Sequence, residues 1–267
     1  MWTPAARQLH DTIRRDYPSS LSDAEWALIC PSFAAFMATW DMRRIVDAIL
    51  YRVKYAVPWR ALPVNFPPWQ TVYWHFRRFV AAGLWERLNF DMVVKDRERC
   101  GREAQPTAAI ADSQTVKATE SRAERAYDGG KKITGLKRHT MTDTDGRMLA
   151  MGLSRADMHD SRGGAILLRA SRQLWPFILR LWADSAYRGD HMGSALPGVT
   201  VEVVTGPKNQ VGFIVQKRRW VVERTFGWFG RFRLLWRVCD DRHDVLTSTV
   251  YLAHAMLLTR RIANAQR

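Results

Sequence analysis

The spacing of apolar residues changes near position 100, and that change constrains the fold more than any other feature. From Met42 to Val57 they recur at Ile45, Ile49 and Val53, and again at Val46, Leu50 and Tyr51. That is the period of an amphipathic helix. Pro58 stops it, and the four prolines within 58–68 impose an irregular turn. Trp69 to Phe79 resumes as a helix with an apolar stripe of Trp69, Val72, Tyr73, Phe76 and Phe79. Ser22-Asp23-Ala24-Glu25 has the form of a capping box, with Ser22 as N-cap. Residues 91–105 are charge-rich and place a boundary near 100. Beyond it the runs are short. Pro106–Val116 reads as a strand and Lys117–Lys137 as a basic loop around Asp128-Gly129-Gly130. Arg138–Asp143 and Arg147–Ser154 flank Thr144-Asp145-Gly146, a hairpin signal. Asp160–Leu174 reads as a helix with Asp160 as N-cap, Phe177–Ala183 and Val199–Val204 as strands, and Gln216–Arg237 as a long helix. The expected fold class is α/β: a small all-helical region, 1–100, before a mixed sheet flanked by helices, 101–267.

Charge narrows the partner. The chain holds 41 Lys and Arg against 26 acids, a formal +15, and the excess is clustered. A polyanion is implied, with nucleic acid ahead of a membrane surface. Two helices joined by a Pro-rich turn, the second carrying Arg77 and Arg78, suggest a helix-turn-helix-like binder with those arginines on phosphates. Lys117, Lys131, Lys132, Lys137 and Arg138 make the loop after the first strand a second basic segment. The three cysteines, Cys30, Cys100 and Cys239, form no CxxC or Cys/His cluster, so neither a zinc site nor a disulfide framework is expected. With no signal-peptide pattern, a reducing cytoplasm is the expected home. The apolar stretch Val245–Leu258 is too short to span a membrane and reads as a packed terminal helix.

Three acids stand apart. Asp112 follows Ala108-Ala-Ile-Ala, and Asp184 follows Leu181-Trp-Ala. Each puts a charge at the end of a core strand, which is costly unless it is paired or binds a metal. Glu223 is the only acid between Glu202 and Asp240, among Lys208, Lys217, Arg218, Arg219, Arg224, Arg231, Arg233 and Arg237. Singly, Asp112 could form a strand-end turn, Asp184 could cap Ser185-Ala186, and Glu223 could pair with Arg219 at i−4. Together, three hard oxygen ligands beside a basic surface suit Mg²⁺ or Mn²⁺ acting on a phosphodiester.

The chain resembles bacterial insertion-sequence transposases of the DDE type, in the insertion-sequence-five-like group, over nearly its whole length. The N-terminal half contributes Leu21-Ser-Asp-Ala-Glu-Trp26, Ile49-Leu-Tyr-Arg-Val53, Pro58-Trp-Arg-Ala-Leu-Pro63, Trp69-Gln-Thr-Val-Tyr73 and Gly83-Leu-Trp85. The C-terminal half contributes Asp112-Ser-Gln-Thr-Val-Lys117, Gly135-Leu-Lys-Arg-His139, Asp184-Ser-Ala-Tyr-Arg-Gly189 and Arg218-Arg-Trp-Val-Val-Glu-Arg-Thr-Phe226. The resemblance implies an RNase H-like catalytic domain, with Asp112 on the first strand, Asp184 at the end of the fourth and Glu223 on the following helix. It makes Arg219 a phosphate or DNA-end contact, with Arg224 beside it, and marks Ala156-Asp-Met-His-Asp160 as a further family element. Gln216 and Gly230 stand where relatives often carry Tyr and Lys, so end-handling roles tied to those residues do not transfer.

The activity this implies is endonucleolytic cutting at terminal inverted repeats, followed by transfer of the exposed 3′-hydroxyl into target DNA. Two Mg²⁺ or Mn²⁺ ions per site would be held by Asp112, Asp184 and Glu223. A homodimer or larger assembly on DNA follows from the need to handle two ends. No membrane or small-molecule substrate is implied. The alternatives are a catalytically inactive DNA-binding derivative and an RNase H-like nuclease that cuts without joining.

Overall fold

The computed structural model describes residues 3, 16–36, 39–118, 124–188, 192, 197–204 and 220–265. Four helices come first: α1 (Asp23–Ile29), α2 (Met42–Tyr55), α3 (Trp69–Ala81) and α4 (Leu84–Arg99). The capping box on α1 is complete, with Ser22 Oγ accepting from Glu25 N at 3.2 Å and Glu25 Oε2 accepting from Ser22 N at 3.0 Å. α2 ends before Pro58, at Ala56, which takes the left-handed conformation and donates its N–H to Arg52 O. On α3 the stripe divides. Val72, Phe76 and Phe79 are buried, whereas Tyr73 and its neighbour Trp74 are exposed.

The sheet follows: β1 (Ala108–Lys117), β2 (Ala126–Asp128), β3 (Ile133–Thr142), β4 (Met148–Arg155), helix α5 (Asp160–Ser171), β5 (Arg180–Ala183), β6 (Thr200–Val203), then α6 (Trp220–Phe229) and α7 (His243–Ala265). The strand order is β2-β3-β1-β5-β6, with β4 also on β3. β3 pairs antiparallel with β1, β2 and β4, while β5 joins β1, and β6 joins β5, in parallel. The β3–β4 connection is the expected Asp-Gly turn. Gly146 has φ +87 and donates its N–H to Asp143 O. This is a mixed sheet flanked by helices and preceded by a helical region, an RNase H-like arrangement.

Several boundaries differ from the sequence expectation. The Lys117–Lys137 segment is not all loop: β2 pairs with β3 there, and Asp128 Oδ1 accepts from Gly130 and Lys131 N–H to close the turn. Asp184 therefore follows the fifth strand and not the fourth, and β6 intervenes before α6. The N-cap of α5 is His159 and not Asp160, because the His159 ring accepts from Ser161 N. Among the described residues α6 stops at Phe229. Gly230 donates back to Phe226 and Gly227, and a separate turn follows at Arg233–Trp236.

The charge-rich segment after Asp91 is helical to Arg99, and two of its charges point inward. Asp96 and Arg97 are buried with Asp143 and Arg147 of the β3–β4 turn. Arg147 Nε meets Asp96 Oδ2 at 2.7 Å, and its Nη1 meets Asp143 Oδ2 at 2.9 Å. Arg97 meets the same Asp143 oxygen at 2.5 Å, and Arg261 of α7 reaches Asp96 at 3.2 Å. Burial alone would raise the Asp96 carboxyl, but hydrogen bonds from Arg99 and Arg147 outweigh it and hold it below the ordinary aspartate value. One hydrophobic cluster spans the helices and the sheet, from Leu21 and Ile29 through Trp85, Met148 and Trp175 to Leu258 and Ile262.

His254 of α7 stitches the same layers. Its Nε2 accepts from Met148 N at 3.0 Å, so Nδ1 carries the proton and donates to Asn89 Oδ1 at 2.6 Å. Burial pushes this imidazole down to about 3. Below pH ~6.5 the unfolded chain takes up a proton that the folded chain refuses. Stability is therefore full above pH ~6.5 and falls as pH drops towards the folded value, which denaturant titrations at stepped pH will show, with a flatter acid limb in His254→Gln. Arg147→Met leaves Asp96 and Asp143 buried beside fewer cations and is expected to cost about 3–5 kcal/mol in urea unfolding.

Candidate active site

Strand register places Asp112 and Asp184 at matched positions on neighbouring strands. β1 and β5 are parallel, and their last paired rung is Ile110 opposite Trp182. Asp112 and Asp184 each lie two residues further on. Side chains two apart share a face, so each carboxylate projects on the side of its own Ile110 or Trp182. Neighbouring strands lie about 4.8 Å apart. Asp112 is buried, at 8 % exposure, opposite Thr140 of β3, and its Oδ1 accepts from Ser113 N at 2.7 Å. Asp184 is half-buried and caps the turn Ser185–Tyr187, with Oδ1 accepting from Ala186 N at 2.9 Å. The turn-capping role is thus real for Asp184, and it fixes the carboxylate's direction.

Helix α6 docks on that face. Val221 and Val222 cluster with Ile110 and Trp182, two residues short of each aspartate. Two bonds lock the helix to the β3–β4 turn: Thr225 Oγ1 donates to Gly146 O, and Arg224 Nη2 donates to Asp145 O, each at 2.8 Å. Glu223 lies exposed on α6.

Tyr187, three residues after Asp184, had no role in the sequence reading. Its phenol is buried, and its ring fills the space where a Cβ on Gly164 would stand, 2.4 Å away. Burial raises its pKa first, and the charges of Asp112, Asp160 and Asp184 raise it further. The donors at hand are all oxygen, the chemistry that suits a hard divalent cation. Among the described residues, no group of three or more His, Cys, Asp or Glu is arranged to hold a metal ion. The structure brings two of the three acids to matched positions, with the helix of the third packed beside them.

A family model described as "Transposase DDE domain" matches residues 103–258, and one described as "Putative transposase of IS4/5 family" matches residues 21–89. The chain belongs to the DDE transposases. No curated protein and no solved structure matches it.

The transposase's basic candidates fall into two groups. Lys117, Lys131 and Lys132 are exposed around the β1 end and the β2–β3 turn. Arg77 and Arg78 are half-buried on α3. Arg77 lies 3.9 Å from Asp244, and Arg78 stacks over Trp74 at 4.5 Å. Two others, Lys137 and Arg138, face inward. Lys137 is buried, and its Nζ donates to Met158 O and meets Asp160, each at 2.8 Å. Arg138 is buried beside Arg52 and Cys239, and burial pushes its guanidinium down to about 10. Arg224 stacks between Trp220 and Trp228 at 4.5 and 4.8 Å. Arg219 lies outside the described residues. No helix among the described residues is long and apolar enough to cross a membrane.

Gly146 sits under α6. A Cβ there would stand 3.0 Å from Thr225 Oγ1 and 3.1 Å from the Arg224 guanidinium, on a backbone at φ +87. Gly146→Ala is therefore expected to lower stability by roughly 1–3 kcal/mol and to loosen α6, seen as faster amide exchange in residues 221–226 than at Leu252 of α7.

Proposed function

We propose that this transposase cuts DNA at the ends of its element and joins the freed 3′-hydroxyl to target DNA, with Asp112, Asp184 and Glu223 as catalytic residues and metal ligands. The carrying observation is the register that puts Asp112 and Asp184 at equivalent positions on adjacent parallel strands, beside the helix that bears Glu223. Strand ends of this kind are where α/β sheets place reacting groups. Two Mg²⁺ or Mn²⁺ ions held there would activate the attacking oxygen and stabilise the leaving oxygen. The chain's own part is to hold the carboxylates in place. The Ser113 and Ala186 amides orient Asp112 and Asp184, and the Gly146 and Asp145 carbonyls anchor the Glu223 helix. Lys117, Lys131, Lys132, Arg77 and Arg78 are the proposed phosphate contacts, with Arg219 joining them from the motif it shares with the family. Residues 1–100 would grip the inverted repeats while 101–267 carry the chemistry, and two chains would bring two ends together.

A second reading, a DNA-binding derivative without catalysis, draws on the absence of a three-acid metal cluster among the described residues. A cleavage and strand-transfer assay on the element's own ends separates the two. Wild type in Mg²⁺ or Mn²⁺ is expected to nick and join, whereas Asp184→Asn and Glu223→Gln bind the ends but lose at least ~100-fold of both steps. Binding without cleavage by the wild type in either metal would establish the second reading.

A further inference from the structure

Beyond Asp184 the surface opens into a pocket of about 700 Å³ lined by Arg155, Asp157, Met158, His159, Ser161, Arg162 and Arg188. It belongs to neither basic segment discussed above. Arg155 ends β4, Arg162 lies in the first turn of α5, and Arg188 directly follows the turn that Asp184 caps. Three elements that meet at the carboxylate end of the sheet thus each supply one guanidinium.

The charges do not cancel. Asp157 takes Arg155 through two bonds, at 3.1 and 2.9 Å, and Glu124 lies 3.6 Å from it. Arg162 and Arg188 are exposed and have no acidic partner among the described residues. The Arg155–Asp157 pair fixes one guanidinium in position at half exposure. His159 Nδ1 is occupied by Ser161, at 2.8 Å from Oγ, which turns the rest of its ring outward. The pocket also faces the N-terminal turn of α5, a helix of 12 residues, whose dipole favours an anion. Arginine forks match phosphate oxygens in pairs, and the opening exceeds what one small anion needs.

We propose that Arg155, Arg162 and Arg188 form a phosphodiester-binding pocket that seats the backbone of the DNA strand running into the Asp112–Asp184 site. This rests on the reading that those carboxylates act on DNA. The strand's phosphates lie on Arg162 and Arg188, Arg155 adds charge that Asp157 partly cancels, and the strand then passes the turn at Ser185–Tyr187 to reach the carboxylates. The site thereby recognises charge and spacing rather than base sequence.

The test is the salt dependence of binding, measured by fluorescence anisotropy without divalent metal so that cleavage plays no part. The probes are a labelled duplex carrying the element's own end and a scrambled duplex of equal length. Each phosphate contact contributes about 0.9 to the slope of log affinity against log salt. Arg162→Gln/Arg188→Gln is expected to reduce that slope by about 2 on both probes, with an unchanged melting temperature. Asp157→Asn, which removes the pocket's own acid, is expected to tighten binding of both duplexes, and it decides the matter if the double variant does not fold. A separate arm adds inorganic phosphate at constant ionic strength. Unchanged slopes in the double variant, or no tightening in Asp157→Asn, overturn the proposal. So does stabilisation by inorganic phosphate that leaves duplex binding untouched, because the pocket is then a free-anion site. A chain with the expected slopes that never cuts its ends would keep the pocket and remove the catalytic reading instead.

Discussion

The arrangement hangs on Arg147. Its guanidinium is buried between Asp96 of α4 and Asp143 at the start of the β3–β4 turn, with Arg97 and Arg261 completing the set. Buried ion pairs add little net stability over apolar packing, but they tolerate only one geometry. Here that geometry ties the last helix of the N-terminal region, the hairpin and the C-terminal helix to one point. The turn so fixed is the one whose carbonyls receive Thr225 and Arg224. The position of Glu223 is therefore set, at one remove, by charges on a helix nearly 130 residues earlier in the chain.

Two levels of constraint meet at the carboxylates. Strand register fixes Asp112 against Asp184, and helix docking through Val221 and Val222 sets the height of α6 above them. The first is rigid, because a slip of one residue would turn both acids to the opposite face. The second rests on a small apolar cluster and two carbonyl contacts.

Much of this was legible in the residues. The helical period of 42–57, the Ser22 capping box and the Asp-Gly turn at 144–146 all rest on local chemistry, and each is found. The mixed sheet could be read from the order of its runs, and the DDE family from the long motifs around Asp112, Asp184 and Glu223. What could not be read was direction. The charges at 91–105 mark a boundary in the sequence, yet Asp96 and Arg97 face the core because their partners lie about fifty residues away. In the same way Lys137 and Arg138 counted towards a basic surface but turn inward to Asp160 and a small cavity, while Arg224 is taken up between two tryptophans. Composition reports the number of charges, and only long-range packing reports which way they point. Tyr187 sat inside a motif already noted; its meaning depends on Gly164, which only the fold brings to its ring.

The packing of α1 and α7 carries a consequence for how the chain is made. Arg260 donates to the Pro18 and Ser19 carbonyls, 242 and 241 residues away in sequence, and α7 lies along α4 and α1. Contacts of such sequence separation form late, because the loop they close is long. On the ribosome, the helices and sheet emerge in order but stay uncovered along the groove that α7 fills, until α7 itself leaves the exit tunnel. A chain made only as far as α6 thus exposes apolar surface and lacks the Arg261 contact to Asp96, so the charge cluster around Arg147 is completed only once α7 has emerged.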